Sequence, residues 1–179
     1  MAASTAFEQR RRLAMDEKEQ AQRTAVIAEA HTWIHTPFVH RARIKGKRGG
    51  VDCGQILAAV YENAGVVAHV ETPEYQMQWA LNQYRELYLA ELLKYTREIQ
   101  EAEALPADIV VYKVAHTYAH GAILLAPWPG MIIHAINGLG VQYSDASKEG
   151  FLRSVTKRAG AVPCRFFSPW PVAPENLPK

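Results

Sequence analysis

Gly49-Gly50-Val51-Asp52-Cys53-Gly54-Gln55-Ile56-Leu57 is the stretch on which the reading of this chain turns. Ile56, Leu57, Val60 and Tyr61 recur at the spacing of a helix laid on a core, and Asn63-Ala64-Gly65 closes it. Asp52 suits the cap of that helix, and Cys53 falls in its first turn. Unpaired amides and the positive end of the helix dipole favour thiolate over thiol there. Gly49 and Gly50 permit close approach of a substrate backbone, and the Cys53 amide is placed to help hold an oxyanion. A free cysteine is often only core, so this position alone does not separate a nucleophile from a structural thiol.

Downstream, the pattern changes after Leu105-Pro106-Ala107-Asp108. Runs from Ile109 to Val114, Gly121 to Ala126, Met131 to Ile136, Gly140 to Tyr143 and Val162 to Phe167 read as short strands, separated by turns carrying Pro127, Pro129, Gly130, Asn137 and Gly138. His120 begins one apolar strand and His134 lies near the end of the next. Antiparallel pairing through the Pro127 to Gly130 turn would set the two histidines side by side. A thiolate nucleophile needs an imidazole within hydrogen-bond reach, and that imidazole needs a further polar group to fix its tautomer. Cys53, His120 and His134 are therefore the catalytic candidates: nucleophile, base and the group that orients the base. Cys164, on a late apolar run without a helix start, reads as structural. His31, His35, His69 and His116 have no comparable setting, while His40 and Arg41 suit the cleft entrance.

Upstream, residues from Asp16 to about His35 favour helix, with Ala25, Ile27, Ala28, Ala30, Trp33 and Ile34 as the buried stripe and Thr36-Pro37 as the stop. Arg41, Arg43, Lys45, Lys47 and Arg48, set among glycines, read as a solvated loop. Glu74 to Ala102 carries Trp79, Leu81, Tyr84, Leu87, Tyr88, Leu92 and Tyr95 at helical spacing and reads as a helical insertion. Helices first and an antiparallel sheet afterwards define an α+β domain. The expected organisation is a flexible extension over 1–14, one catalytic domain over 15–168 and an irregular Pro-rich tail over 169–179.

The chain has 179 residues, 49% hydrophobic and 21% charged, which is enough apolar material for one core. A net charge of +2 supplies no strong field towards nucleic acid or an anionic membrane. Its apolar stretches fall well short of the roughly 20 residues that span a bilayer, and the N-terminal residues lack the apolar region of a secretory leader. Two cysteines make neither a disulfide framework nor a metal-finger pattern.

Asp52-Cys53-Gly54, Leu105-Pro106-Ala107-Asp108, His120-Gly121-Ala122-Ile123 and Ile133-His134-Ala135 resemble, in that order, the motifs of the NlpC/p60 family of papain-like cysteine peptidases. Trp33 and Thr36-Pro37-Phe38 resemble the family's lead-in to the cysteine. The resemblance is closest to the single-domain versions found with phage tails and gene-transfer agents. It implies a papain-like fold, a Cys-His-His triad and no cofactor or metal. It further implies hydrolysis of the peptide stem of peptidoglycan, near the bond between γ-D-glutamate and a diamino acid. Phage tail proteins are the implied partners, and a virion or the cell wall the implied destination.

Two departures fall where substrate is recognised: Gly54-Gln55 replaces Ser-Gly, and Phe38 replaces a tyrosine. Asp52, Gly54, Gln55 and Phe38 are accordingly the expected substrate contacts. Three other readings stand beside this one. His116 and His120 with Cys53 and His134 would form a zinc site, though strands flanking a turn argue against the four-residue spacing. An idle tail or scaffold component would keep the fold without turnover, and an amidase or toxin effector would use the same triad.

Overall fold

The computed structural model describes residues 17–76, 85–156 and 161–171. The expected extension over 1–14 therefore lies outside the described residues, as do the end of the tail and 77–84 of the expected helical insertion.

Helix α1, Glu17–His31, leads through turns and a short hairpin of β1, Arg43–Ile44, and β2, Gly50–Val51, into α2, Cys53–Asn63. A short helix α3, Leu87–Leu92, follows, then β3, Arg97–Ile99, and a 3-10 turn at Glu101–Glu103. The rest is β4, Ile109–Val114; β5, Thr117–Leu124; β6, Met131–Ile136; β7, Gly140–Asp145; α4, Arg153–Thr156; and β8, Cys164–Ser168. The large sheet runs β3-β8-β4-β5-β6-β7 with antiparallel neighbours throughout.

Both faces of this sheet are covered. Ile109, Val111, Ile123, Ile133, Ala135 and Phe167 pack with Ile56, Leu57 and Val60 of α2 and with Val26 and Ala30 of α1. On the other face Val110, Tyr112, Ala122, Leu124, Ile132 and Phe166 pack with Leu152, Phe151 and Trp128. Two-sided burial explains why the strands read as continuous apolar runs instead of alternating ones. Alternation still decides which face each side chain takes. Gly121 lies beneath α2 and α3, where an added Cβ would come within 2.8 Å of Leu57 and 2.2 Å of the Tyr88 hydroxyl. Its neighbour His120 therefore turns to the other face, beside Tyr112.

Several elements differ from the sequence expectation. The buried face of α1 is Arg23, Val26 and Ala30, continued by Trp33, and Ala28 is exposed. Arg23 is admitted because it meets Asp108 at 3.0 Å, the Pro106 carbonyl at 2.8 Å and the ring face of Trp170. Within 74–102 the described helix is only Leu87–Leu92, and Arg97–Ile99 is a strand paired with β8. A sheet edge waiting at β8 outweighs the local helical spacing. Trp170, assigned to the tail, is 5% exposed and belongs to the core. The basic stretch is a tight hairpin. A Cβ on Gly49 would stand 2.0 Å from the Ile44 carbonyl oxygen and one on Gly50 2.4 Å from Val39, so the hairpin itself requires both glycines.

Candidate active site

Asp52 caps α2, its Oδ1 accepting from the amides of Gly54 at 3.0 Å and Gln55 at 2.9 Å. Its Oδ2 accepts from the Arg41 amide at 2.8 Å and the Tyr75 hydroxyl at 2.6 Å. Gln55 receives Arg43 Nε at 2.8 Å and donates to Thr72 at 2.8 Å and to the Tyr75 hydroxyl at 3.1 Å. Arg43 also meets Glu62 at 2.6 Å and the Val70 carbonyl at 3.0 Å, so this cation is engaged in the fold and not merely solvated. Asp52 and Gln55, the expected substrate contacts beside the cysteine, are buried joints that strap residues 70–75 across the helix start, and Asp52 also borders the cleft. The reason is position: both lie under a loop whose Tyr75 hydroxyl bonds to each and whose Thr72 hydroxyl takes the Gln55 amide.

The expected contacts Phe38 and Gly54 do line an open cleft of about 810 Å³, together with Cys53, His120, Tyr88 and Leu92. Tyr88 of α3 donates from its hydroxyl to the Cys53 carbonyl at 3.2 Å, resting on Gly121. Glu86, just before α3, accepts from the Tyr118 amide at 2.9 Å and fixes this segment against β5.

On the sheet, His120 Nε2 lies 2.8 Å from His134 Nδ1, and His134 Nε2 lies 2.8 Å from Ser144 Oγ. The β5–β6 register, Ile123 to Ile133, places the two rings on diagonal positions of one face. The β6–β7 register, Ile132 to Ser144, adds the serine by the same geometry. Both rings are almost wholly buried. Burial holds His120 down to about 4, and burial followed by the charge of His120 holds His134 well below its ordinary 6.5. The pair is neutral near pH 7.

The thiol differs from the sequence expectation. Cys53 keeps surface on the cleft, yet protein packs closely round its sulfur. Burial first, then the negative charge of Asp52, push the thiol up to about 12 against the pull of the Gly121, Cys53 and Gly54 amides. Helix position alone therefore does not yield thiolate here. Sγ points at the Ala119 carbonyl at 3.7 Å, and among the described residues no hydrogen bond joins it to His120. The two histidines are thus brought together, and cysteine and base share a cleft without touching. Cys164, half-buried, is likewise pushed up to about 11 by burial and then by Glu101.

His116 lies in the exposed turn between β4 and β5, away from the two buried histidines. Among the described residues no three His, Cys, Asp or Glu side chains cluster to hold a metal ion. Tyr75, Tyr88 and Ser144 were missed in the sequence reading. Only Ser144 left a legible signal there, because the Asn137-Gly138 turn sets the register that places it beside His134.

Helix α2, starting at a cysteine and packed on an antiparallel sheet that carries two histidines, defines an α+β architecture. Two solved structures locate it more narrowly. One is a protein of the NLP/P60 family, similar to lipoprotein, from Staphylococcus aureus: 22% identity, TM-score 0.50, covering 84% of this chain and 42% of that one. The chain thus spans less than half of that protein. The other is RipD from Mycobacterium tuberculosis, described as a non-catalytic NlpC/p60 domain protein adapted to peptidoglycan binding: 16% identity, TM-score 0.51, covering 82% and 96%. The chain has the NlpC/p60 fold. No protein-family model and no curated protein matches the sequence.

Proposed function

We propose that the protein is a cysteine peptidase acting on peptidoglycan stem peptides, with Cys53 as nucleophile, His120 as base and His134 holding the base. The observation that carries this reading is the placement of Cys53 at the start of α2 in the same cleft as His120, whose far nitrogen is fixed by His134. With Nε2 engaged, Nδ1 is the nitrogen that His120 has for the thiol proton. Because the His120 ring leaves the sheet on the Tyr112 face, away from α2, catalysis requires ring and sulfur to turn towards each other, Sγ leaving the Ala119 carbonyl as the substrate carbonyl enters. Asp52 occupies the amides of Gly54 and Gln55 and leaves that of Cys53 for the developing oxyanion. His120 subsequently protonates the leaving amine and activates water on the acyl enzyme. The scissile bond in this reading is the one after γ-D-glutamate, and the setting a phage or prophage tail that opens the wall locally; both rest on the motif resemblance.

One observation favours a second reading. A neutral thiol bonded to a backbone carbonyl suits a peptidoglycan-binding domain that no longer cleaves. The test is release of fragments from purified peptidoglycan and from defined stem peptides by the wild type and Cys53→Ala, with sedimentation on insoluble peptidoglycan in parallel. Turnover by the wild type alone supports the peptidase. Sedimentation of both without turnover replaces it with the binding reading.

A further inference from the structure

The proposed relay has a direction, and the residue at its far end sets it. His120 accepts a thiol proton at Nδ1 only if that nitrogen is bare, so its own proton must sit on Nε2. Nε2–H then donates to His134 across 2.8 Å, which requires a bare Nδ1 there and places the proton of His134 on Nε2. That proton meets Ser144 Oγ at 2.8 Å. The opposite arrangement, with the serine donating to Nε2 and the proton of His134 on Nδ1, would leave His120 carrying hydrogen on Nδ1, the nitrogen that its bond to His134 leaves open. It could not act as base. Both rings are enclosed, at 4% and 0% exposure, so bulk water cannot freely stand in for the missing acceptor.

We propose that Ser144 is a positioning residue of the active site: by accepting from His134 Nε2–H it selects the tautomers that leave His120 Nδ1 free for the Cys53 proton. This rests on the peptidase reading for its catalytic consequence and on the His120–His134–Ser144 contacts for its structural one. A neutral hydroxyl fixes direction without adding the charge that a carboxylate would bring to the relay. Its place on the edge strand β7, partly exposed, makes substitution there mild for the fold.

The experiment is two-bond proton–nitrogen NMR of histidine rings in the full chain, above the pH at which they protonate, together with stem-peptide kinetics. Nε2–H forms of both His120 and His134 are expected in the wild type. Ser144→Ala should populate the Nδ1–H form of His134 and lower kcat about tenfold with KM little changed, the worth of one hydrogen bond. Ser144→Thr, which keeps the hydroxyl, should restore both. An Nδ1–H form of either ring in the wild type overturns the proposal without recourse to any variant, and so do unchanged tautomers in Ser144→Ala. If the wild type cleaves no stem peptide, the peptidase reading fails, and the spectra still decide the tautomer assignment.

Discussion

The start of α2 and the histidine face of the sheet are both buried polar regions, and they are built in opposite ways. Around Asp52 the network is closed: each carboxylate oxygen has two donors, and Gln55 and Arg43 complete one another. Such a network fixes a loop and leaves nothing for a ligand. On the sheet the chain of contacts is open at one end, because His120 retains a nitrogen after meeting His134. Closed networks make structure and open ones can move a proton. The residues beside the cysteine in sequence thus hold the loop, and the paired histidines stand on strands far along the chain.

The sharpest break in the comparison is Cys53→Ala, expected to lower stem-peptide turnover by at least about 10³-fold while the fold is retained, measured by fragment release. On the closed side, Asp52→Ala removes a helix cap and strands the donors of Tyr75 and Arg41. A loss of about 2–4 kcal/mol in urea unfolding is expected, larger than for a cap alone. On the open side the signature is pH. Both rings bind a proton more weakly in the folded chain than in the unfolded one, where the ordinary value is 6.5. Between that value and about 4 the unfolded state therefore takes up protons that the native state refuses, and stability falls as pH falls. Moving from pH 7 to pH 5 should cost about 2 kcal/mol through His120, with a further loss in the same direction from His134, read from the denaturant midpoint, and His120→Gln should flatten the slope. The smallest effect tests the lead-in to β4. Ala107 holds φ at 73° in the left-handed region, buried, its carbonyl accepting from Tyr61. Ala107→Gly should raise stability by up to about 1 kcal/mol.

How much of this was legible depended on the range of the forces involved. The strands β4 and β6 were readable to the residue because two covered faces leave long apolar runs, and the pairing of β6 with β5 carried the histidine neighbourhood with it. The helix start at Asp52-Cys53 was readable because capping is local. Arg97–Ile99 was not, since its strand exists only through its partner β8, more than sixty residues on. Nor were the roles of Gln55 and Arg43, whose partners arrive from residues 62–75 once the chain has folded back. The state of the thiol was missed for a related reason. Helix polarity is a property of sequence position, whereas the packing that opposes it comes from β5 and α3.

Arg23, Asp108 and Trp170 join the first described helix, the entry to the sheet and the residues just after strand β8. The Trp170 indole also reaches Gln22 at 3.0 Å. The fold is in this sense buckled rather than merely wound: the buried Arg23 guanidinium of α1 fastens both the entry to the sheet and the Trp170 indole. A protease cut or a trimmed expression boundary anywhere between Ser168 and Trp170 would release the buckle and leave Arg23 and Asp108 to face each other without their lid. Fusions that extend outward from the buckle should leave the site untouched.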